Sequence, residues 1–200
     1  MWKKLAIFLL VLLLAAIGVV VYLYMQVTAL PDWYPELAAE EAAAAEESPG
    51  GALVWAPAKD GSKKKELRNF HRKAARKSPE VKAVIKASRA TFEDGVLEAG
   101  VVADLRALPT DKMRGDQQSL YQRARQAFPS LTERDVYIGV EDPSPVFENG
   151  GIEIGPSARV KIGNFTAPLD EAAAKLGMTP DALRRELAKQ MRELGVPPPA

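Results

Sequence analysis

The sequence predicts an α+β fold, in which an N-terminal transmembrane helix leads into an antiparallel sheet of about five strands with flanking helices. Three observations point there. Leu5 to Met25 is a run of 21 residues without a charge. Several short segments between Val81 and Phe165 alternate apolar and polar residues between Gly and Pro turns. The chain then ends in two helical patterns with capping residues at their boundaries. With 200 residues, 47% of them hydrophobic and 26% charged, there is material for one core of ordinary size.

At about 1.5 Å per helical residue, the uncharged run covers a hydrocarbon layer of roughly 30 Å. Lys3 and Lys4 precede it and the next basic residue is Lys59, so the positive-inside rule places the N-terminus in the cytoplasm and the rest outside. Trp2 at one end and Tyr22 and Tyr24 at the other suit the two interfaces, and Trp33 and Tyr34 are expected at the outer one. A cleaved signal peptide is the rival reading. Val27, Thr28 and Ala29 form an acceptable cleavage site before Leu30, but the apolar run is longer than a signal h-region. The anchor is therefore residues 1–26, a single-pass signal-anchor of a cell-envelope protein whose C-terminal domain is extracytoplasmic.

Residues 27–61 read as an acidic linker rich in Ala, Glu, Pro and Gly, with a short helix over Glu36 to Glu47. The charge is distributed in blocks: −6 over residues 26–58, +9 over 59–89 and −4 over 90–200, within a net charge of +1. No global field holds nucleic acid or an anionic surface, and any electrostatic partner must meet a local patch. That patch is Lys63, Lys64, Lys65, Arg68, Arg72, Lys73, Arg76 and Lys77, with Leu67, Phe70 and Ala74 at helical spacing beneath it. The pattern predicts a basic amphipathic helix, suited to anionic lipid, an envelope polymer or an acidic envelope protein. Its plainer reading is the solvated face of a domain helix, with His71 an exposed polar residue.

The domain is bounded at 62–196. Alternation from Val81 to Ala90 and the segment VLEAGVVADL predict a hairpin with Asp94-Gly95 at its tip, and Gly100 marks a bulge or a close backbone approach. Leu120, Ala124 and Phe128 predict a helix ended by Pro129. Val136, Ile138 and Val140, then Ile152 and Ile154, then Val160 and Ile162 predict three further strands. In the last two helices Gly177 closes the first, Thr179 caps the second ahead of Pro180, and Gly195 ends it. Residues 197–200 form a Pro-rich tail that is not helical.

Composition closes off much chemistry. Without cysteine there is no disulfide, thiol nucleophile or thiolate metal site, and one histidine excludes His-pair metal centres. No phosphate-binding, nucleophile-elbow or zinc-protease motif is present, so no catalytic residue, cofactor or metal is assigned and the chain reads as a non-enzyme. An exported hydrolase using two of Glu93, Asp94, Glu98, Asp104, Glu141, Asp142, Glu148 and Glu153 is one alternative. The pattern PLDEAAAKLGMTPDALRREL resembles the opening of helix-turn-helix DNA-binding domains, which makes a tethered regulator using Arg184 and Arg185 the other. Nucleic acid is disfavoured by the exported placement. If the sheet curves, Val101, Val136, Ile138, Ile152 and Ile162 are candidates to line an acyl-chain site, and are otherwise core. Asn164-Phe165-Thr166 has the form of a glycosylation sequon.

Glu66, Leu67 and Asn69, followed by Glu93, Asp94, Gly95, Gly100 and Asp104, resemble a pattern in uncharacterised bacterial envelope proteins with a single N-terminal anchor. The resemblance spans about 40 residues. It implies a short helix before a hairpin of curved antiparallel strands in an envelope protein, with no reaction attached; the reading of the whole chain is a binding or assembly module of the cell envelope.

Overall fold

The computed structural model describes residues 25–44, 53–59, 62–113, 115–127, 133–148 and 150–199. The transmembrane helix expected over Leu5 to Met25 lies outside these residues except for Met25. Among the described residues no helix is long and apolar enough to cross a membrane. The fold class is corrected accordingly. The structure supports an α+β domain with a larger sheet than expected and provides no spanning helix for a membrane, single-pass or signal-anchor protein.

Among the described residues nine strands form: β1 (Ala56–Pro57), β2 (Lys65–Arg68), β3 (Ile85–Glu93), β4 (Val96–Ala103), β5 (Val136–Asp142), β6 (Val146–Glu148), β7 (Gly151–Glu153), β8 (Arg159–Ile162) and β9 (Phe165–Pro168). Seven of them make one sheet in the order β1-β2-β3-β4-β5-β8-β9, with every pair antiparallel, and β6-β7 stands apart as a two-stranded ribbon. The helices are α1 (Tyr34–Ala44), α2 (Arg72–Lys77), α3 (Pro79–Val84), α4 (Gly115–Ala127), α5 (Leu169–Lys175) and α6 (Pro180–Leu194).

The β3-β4 hairpin turns at the expected tip. Asp94 and Gly95 have φ of 49° and 83°, the two left-handed residues that a tight hairpin requires and that Asp-Gly tolerates. The helix expected over the basic stretch is divided. Lys65 to Arg68 is strand, because Leu67 pairs with Ala90 and Glu66 with Thr91 at the edge of the hairpin, and only Arg72 to Lys77 is helical. Asn69, at φ 46°, makes the turn between them. Val81 and Ala83 belong to α3, which Ser78 caps by accepting from the Val81 N–H, so the alternating strand begins only at Ile85. At the C-terminus Thr179 caps α6 and Gly195, at φ 80°, closes it, as the residue types require.

Alternation gives the large sheet two faces. The first carries Leu67, Ala90, Leu97, Ala99 and Val140 and packs on Ile152, Ile154, Leu169, Ala173, Leu183, Ala188, Met191 and Val196 to make the core. Of the residues suggested for an acyl-chain site, Val136 and Ile152 are buried and Val101 packs against this core. The opposite face carries Glu66, Arg68, Arg89, Thr91, Glu98, Gly100, Tyr137, Gly139, Glu141 and Lys161, as the cross-strand register requires. Helix α1 lies over one end of that polar face, with Leu37 wholly buried and the Asn69 side-chain amide donating to the Leu37 carbonyl at 3.3 Å.

Candidate functional site

Two glycines create the site. Gly100 and Gly139 are cross-strand partners on the polar face, and the Tyr137 ring lies across both. A Cβ on Gly139 would sit 2.6 Å from the Tyr137 hydroxyl, and one on Gly100 would overlap the ring. The close approach signalled by Gly100 is therefore that of a side chain packed flat on the strands. Trp33 meets the ring edge-on, with centroids 5.8 Å apart, and the Tyr137 hydroxyl donates to Glu98 at 3.3 Å. Burial, then the Glu98 charge, pushes the phenol pKa up, so it stays protonated and a donor.

The segment before α1 closes one side. The Asn164 N–H at the β8-β9 turn donates to the Gln26 carbonyl at 2.7 Å, and Gly163, at φ 58°, lets the 26–27 backbone pass where a Cβ would collide with it. Between this segment and the sheet is a cleft of about 410 Å³ lined by Leu30, Pro31, Asp32, Trp33, Lys64, Arg89, Thr91, Glu98, Tyr137 and Asn164. Trp33 and Tyr34, expected at a membrane interface, instead dock on the domain: Trp33 on Tyr137, and Tyr34 through a 3.1 Å hydrogen bond to Asp135.

Ion pairs organise the floor. Glu98 and Glu141 are directly opposite on β4 and β5, and Lys161 bridges them at 2.7 and 3.7 Å, offsetting a like-charge repulsion. Glu66, 4% exposed, has Arg89 Nε at 2.6 Å and Arg68 Nε at 3.2 Å from the same oxygen, although neither N–H is aimed at it as a hydrogen bond. Arg68 also donates to Glu36 and Glu40 of α1, and hydrogen bonds from Arg68 and Lys59 draw the Glu36 carboxyl down to about 2.

The eight basic residues read from the sequence are thus separated. Lys64 pairs with Glu93, Arg68 with Glu36, Glu40 and Glu66, and Arg72 with Glu41. Lys63, Lys65, Lys73, Arg76 and Lys77 are exposed, on two different elements and the loop before them, so there is no single basic helix. The acidic stretch ahead of them neutralises part of the charge by docking as α1.

His71 is 1% exposed, where the sequence reading put it on the surface. Its Nδ1 is 2.8 Å from Ser88 Oγ, which also accepts the His71 backbone N–H at 3.1 Å. Ser88 has no exposed surface, and the Asn69 side-chain carbonyl accepts its backbone N–H. A serine and histidine so enclosed meet no substrate. Burial lowers the imidazole pKa to about 4, which keeps it neutral.

The carboxylates considered for hydrolysis are mostly engaged structurally. Asp142 is wholly buried and accepts from Gly155 N–H at 2.7 Å and Ser144 N–H at 3.0 Å, Asp104 pairs with Arg106, and Glu153 with Arg192. Arg184 pairs with Asp181 on its own helix, and α6 spends its apolar side on the core. No group of acidic and histidine side chains suited to a metal occurs among the described residues. Arg89, Thr91 and Tyr137, which the sequence reading left unremarked, and Trp33, which it expected at a membrane interface, are those the fold assembles, and Gly100, read as a bulge or close backbone approach, was the one sequence signal of their meeting place. Compared with protein-family models, curated proteins and solved structures, the chain matches none.

Proposed function

We propose that the chain is a non-catalytic binding module whose ligand occupies the cleft on the polar face of the sheet. The supporting observation is the cleft's construction: a volume of about 410 Å³ on a sheet floor whose charged groups are already held by one another. Such groups lose little freedom when a ligand arrives. The Ser88–His71 pair, the nearest approach to a nucleophile with a base, is sealed on the other side of the strand. Nuclear magnetic resonance of the labelled chain tests the reading. A ligand in the cleft shifts the amides of Trp33, Arg89, Glu98 and Asn164 together, whereas shifts confined to residues 72–77 would move the site elsewhere.

A second reading keeps the basic surface. Lys73, Arg76 and Lys77 are exposed and have no ion-pair partner among the described residues, so α2 presents cations to an acidic partner protein. Salt-sensitive association lost in a triple Gln variant at these positions checks it. Placement outside the cytoplasm is likewise proposed, on the Lys3-Lys4 bias, and a reporter fused after Ala200 that is active only outside the cytoplasm decides it.

A further inference from the structure

We infer that the cleft takes an anionic sugar, a polyhydroxylated ring bearing one carboxylate or phosphate, with Arg89 holding the oxyanion and Lys64 beside it. The inference rests on the cleft being a binding site and adds the chemistry of what enters it.

Hydrogen-bond capacity on the sheet floor is unevenly used. Most acceptors are engaged: Glu98 takes the Tyr137 hydroxyl and Lys161, and Glu93 has Lys64 at 3.3 Å, while the Glu66 oxygen has two arginine Nε groups in close contact without an aligned hydrogen bond. The donors are not. Arg89 is only 23% exposed, and among the described residues none of its N–H groups has a hydrogen-bond acceptor; its Nε lies 2.6 Å from Glu66 in poor alignment. A guanidinium carries five donors in a planar fork, and those of Arg89 beyond the buried Nε are open to an acceptor in the cleft. Glu66, beside it and also near Arg68, which Glu36 and Glu40 hold in turn, is the one carboxylate within ion-pair distance of Arg89 among the described residues. The acceptor that matches this fork in shape is a carboxylate or phosphate.

Position supports the assignment. Glu66 holds the Arg89 head from the β2 side while Arg89 and Thr91, two residues apart on β3, face the cleft together with Lys64 from the loop before β2. An oxyanion over Arg89 thus has a hydroxyl and an ammonium as neighbours. Away from that wall the lining is Asp32, Asn164 and the Tyr137 hydroxyl with the Trp33 ring, groups that hydrogen-bond to hydroxyls and cover the apolar side of a ring. A purely apolar ligand would strip water from these groups without replacing it. The volume, about 410 Å³, accommodates one sugar unit.

Isothermal titration of the full chain with glucuronate, glucose 6-phosphate and glucose tests the inference, because the first two carry an oxyanion that the third lacks. At least one anionic sugar should bind ten-fold or more tightly than glucose, with affinity falling as salt rises. Arg89→Gln should erase that preference, and Lys64→Gln, at a partly exposed position where folding is not at stake, should reduce it several-fold. Which anionic sugar responds separates carboxylate from phosphate. Equal binding of glucose, abolished by Trp33→Ala, would overturn the anion while leaving the cleft as a site. Anion binding unchanged in both the Arg89 and Lys64 variants would overturn this placement, and no binding of any of the three sugars would overturn the inference.

Discussion

At Tyr137 a single ring decides the shape of the polar face. Its bed is Gly100 and Gly139, so Gly100→Val forces the ring off the sheet, and overpacking of this kind costs about 1 to 3 kcal/mol. Thermal denaturation should register the loss, and Tyr137→Phe, which removes only the hydrogen bond to Glu98, should cost less. His71 makes stability depend on pH. The folded imidazole accepts a proton only near pH 4, against 6.5 for an unperturbed one. Below pH 6.5 the unfolded chain binds a proton that the folded chain refuses, so stability is full above that value and is lost as pH falls towards 4. Between pH 6.5 and 5 the loss should reach about 2 kcal/mol in urea titrations, and His71→Gln should abolish it. Neither behaviour is legible in the sequence, where one histidine in a basic stretch has the pattern of a surface residue. Burial comes from Ser88, 17 positions away, which only the sheet brings to it.

At the scale of elements, α1 shows how a weakly apolar segment is held. Leu37 is its one fully buried large side chain, and Glu36, Glu40 and Glu41 reach Lys59, Arg68 and Arg72. Exposed ion pairs contribute little each, so the burial of Leu37 dominates. Leu37→Ala should destabilise the docking of α1 by about 2 to 4 kcal/mol. Hydrogen exchange should then show faster exchange in 38–44 while the β3 to β5 amides keep their protection. Composition suggested a helix here but not where it packs. The basic stretch was misjudged for a related reason. Leu67 and Phe70 fit helical spacing, yet Leu67 is paired with Ala90, and a place on the hairpin edge outweighs a three-residue apolar stripe. Gly and Pro turns made the β3-β4 hairpin, β5 and the α5-α6 boundaries plain, whereas β1, β6 and β9 are two to four residues long, too short for a period to show.

For the whole molecule, one core joins sheet and C-terminal helices. Leu183, Ala188 and Met191 of α6 cover Leu67, Ala90, Leu97, Ala99 and Val140, with Leu169 and Ala173 of α5. A chain ending after Pro168 would expose that entire face. It should fail to fold cooperatively, as circular dichroism and loss of a urea transition would show, while Leu183→Ala in the full chain should cost about 2 to 5 kcal/mol. Much of this was readable from the residues alone: an α+β composition, the Asp94-Gly95 tip, the caps at Thr179 and Gly195, and the exclusion of thiol and His-pair metal chemistry. These are local properties, set by backbone preference and by which side chains exist at all. The seven-strand order, the burial of His71, the docking of α1 on its basic partners and the recess around Arg89 were decided only by tertiary structure. Each depends on residues far apart in the chain meeting across a sheet whose register no local pattern encodes.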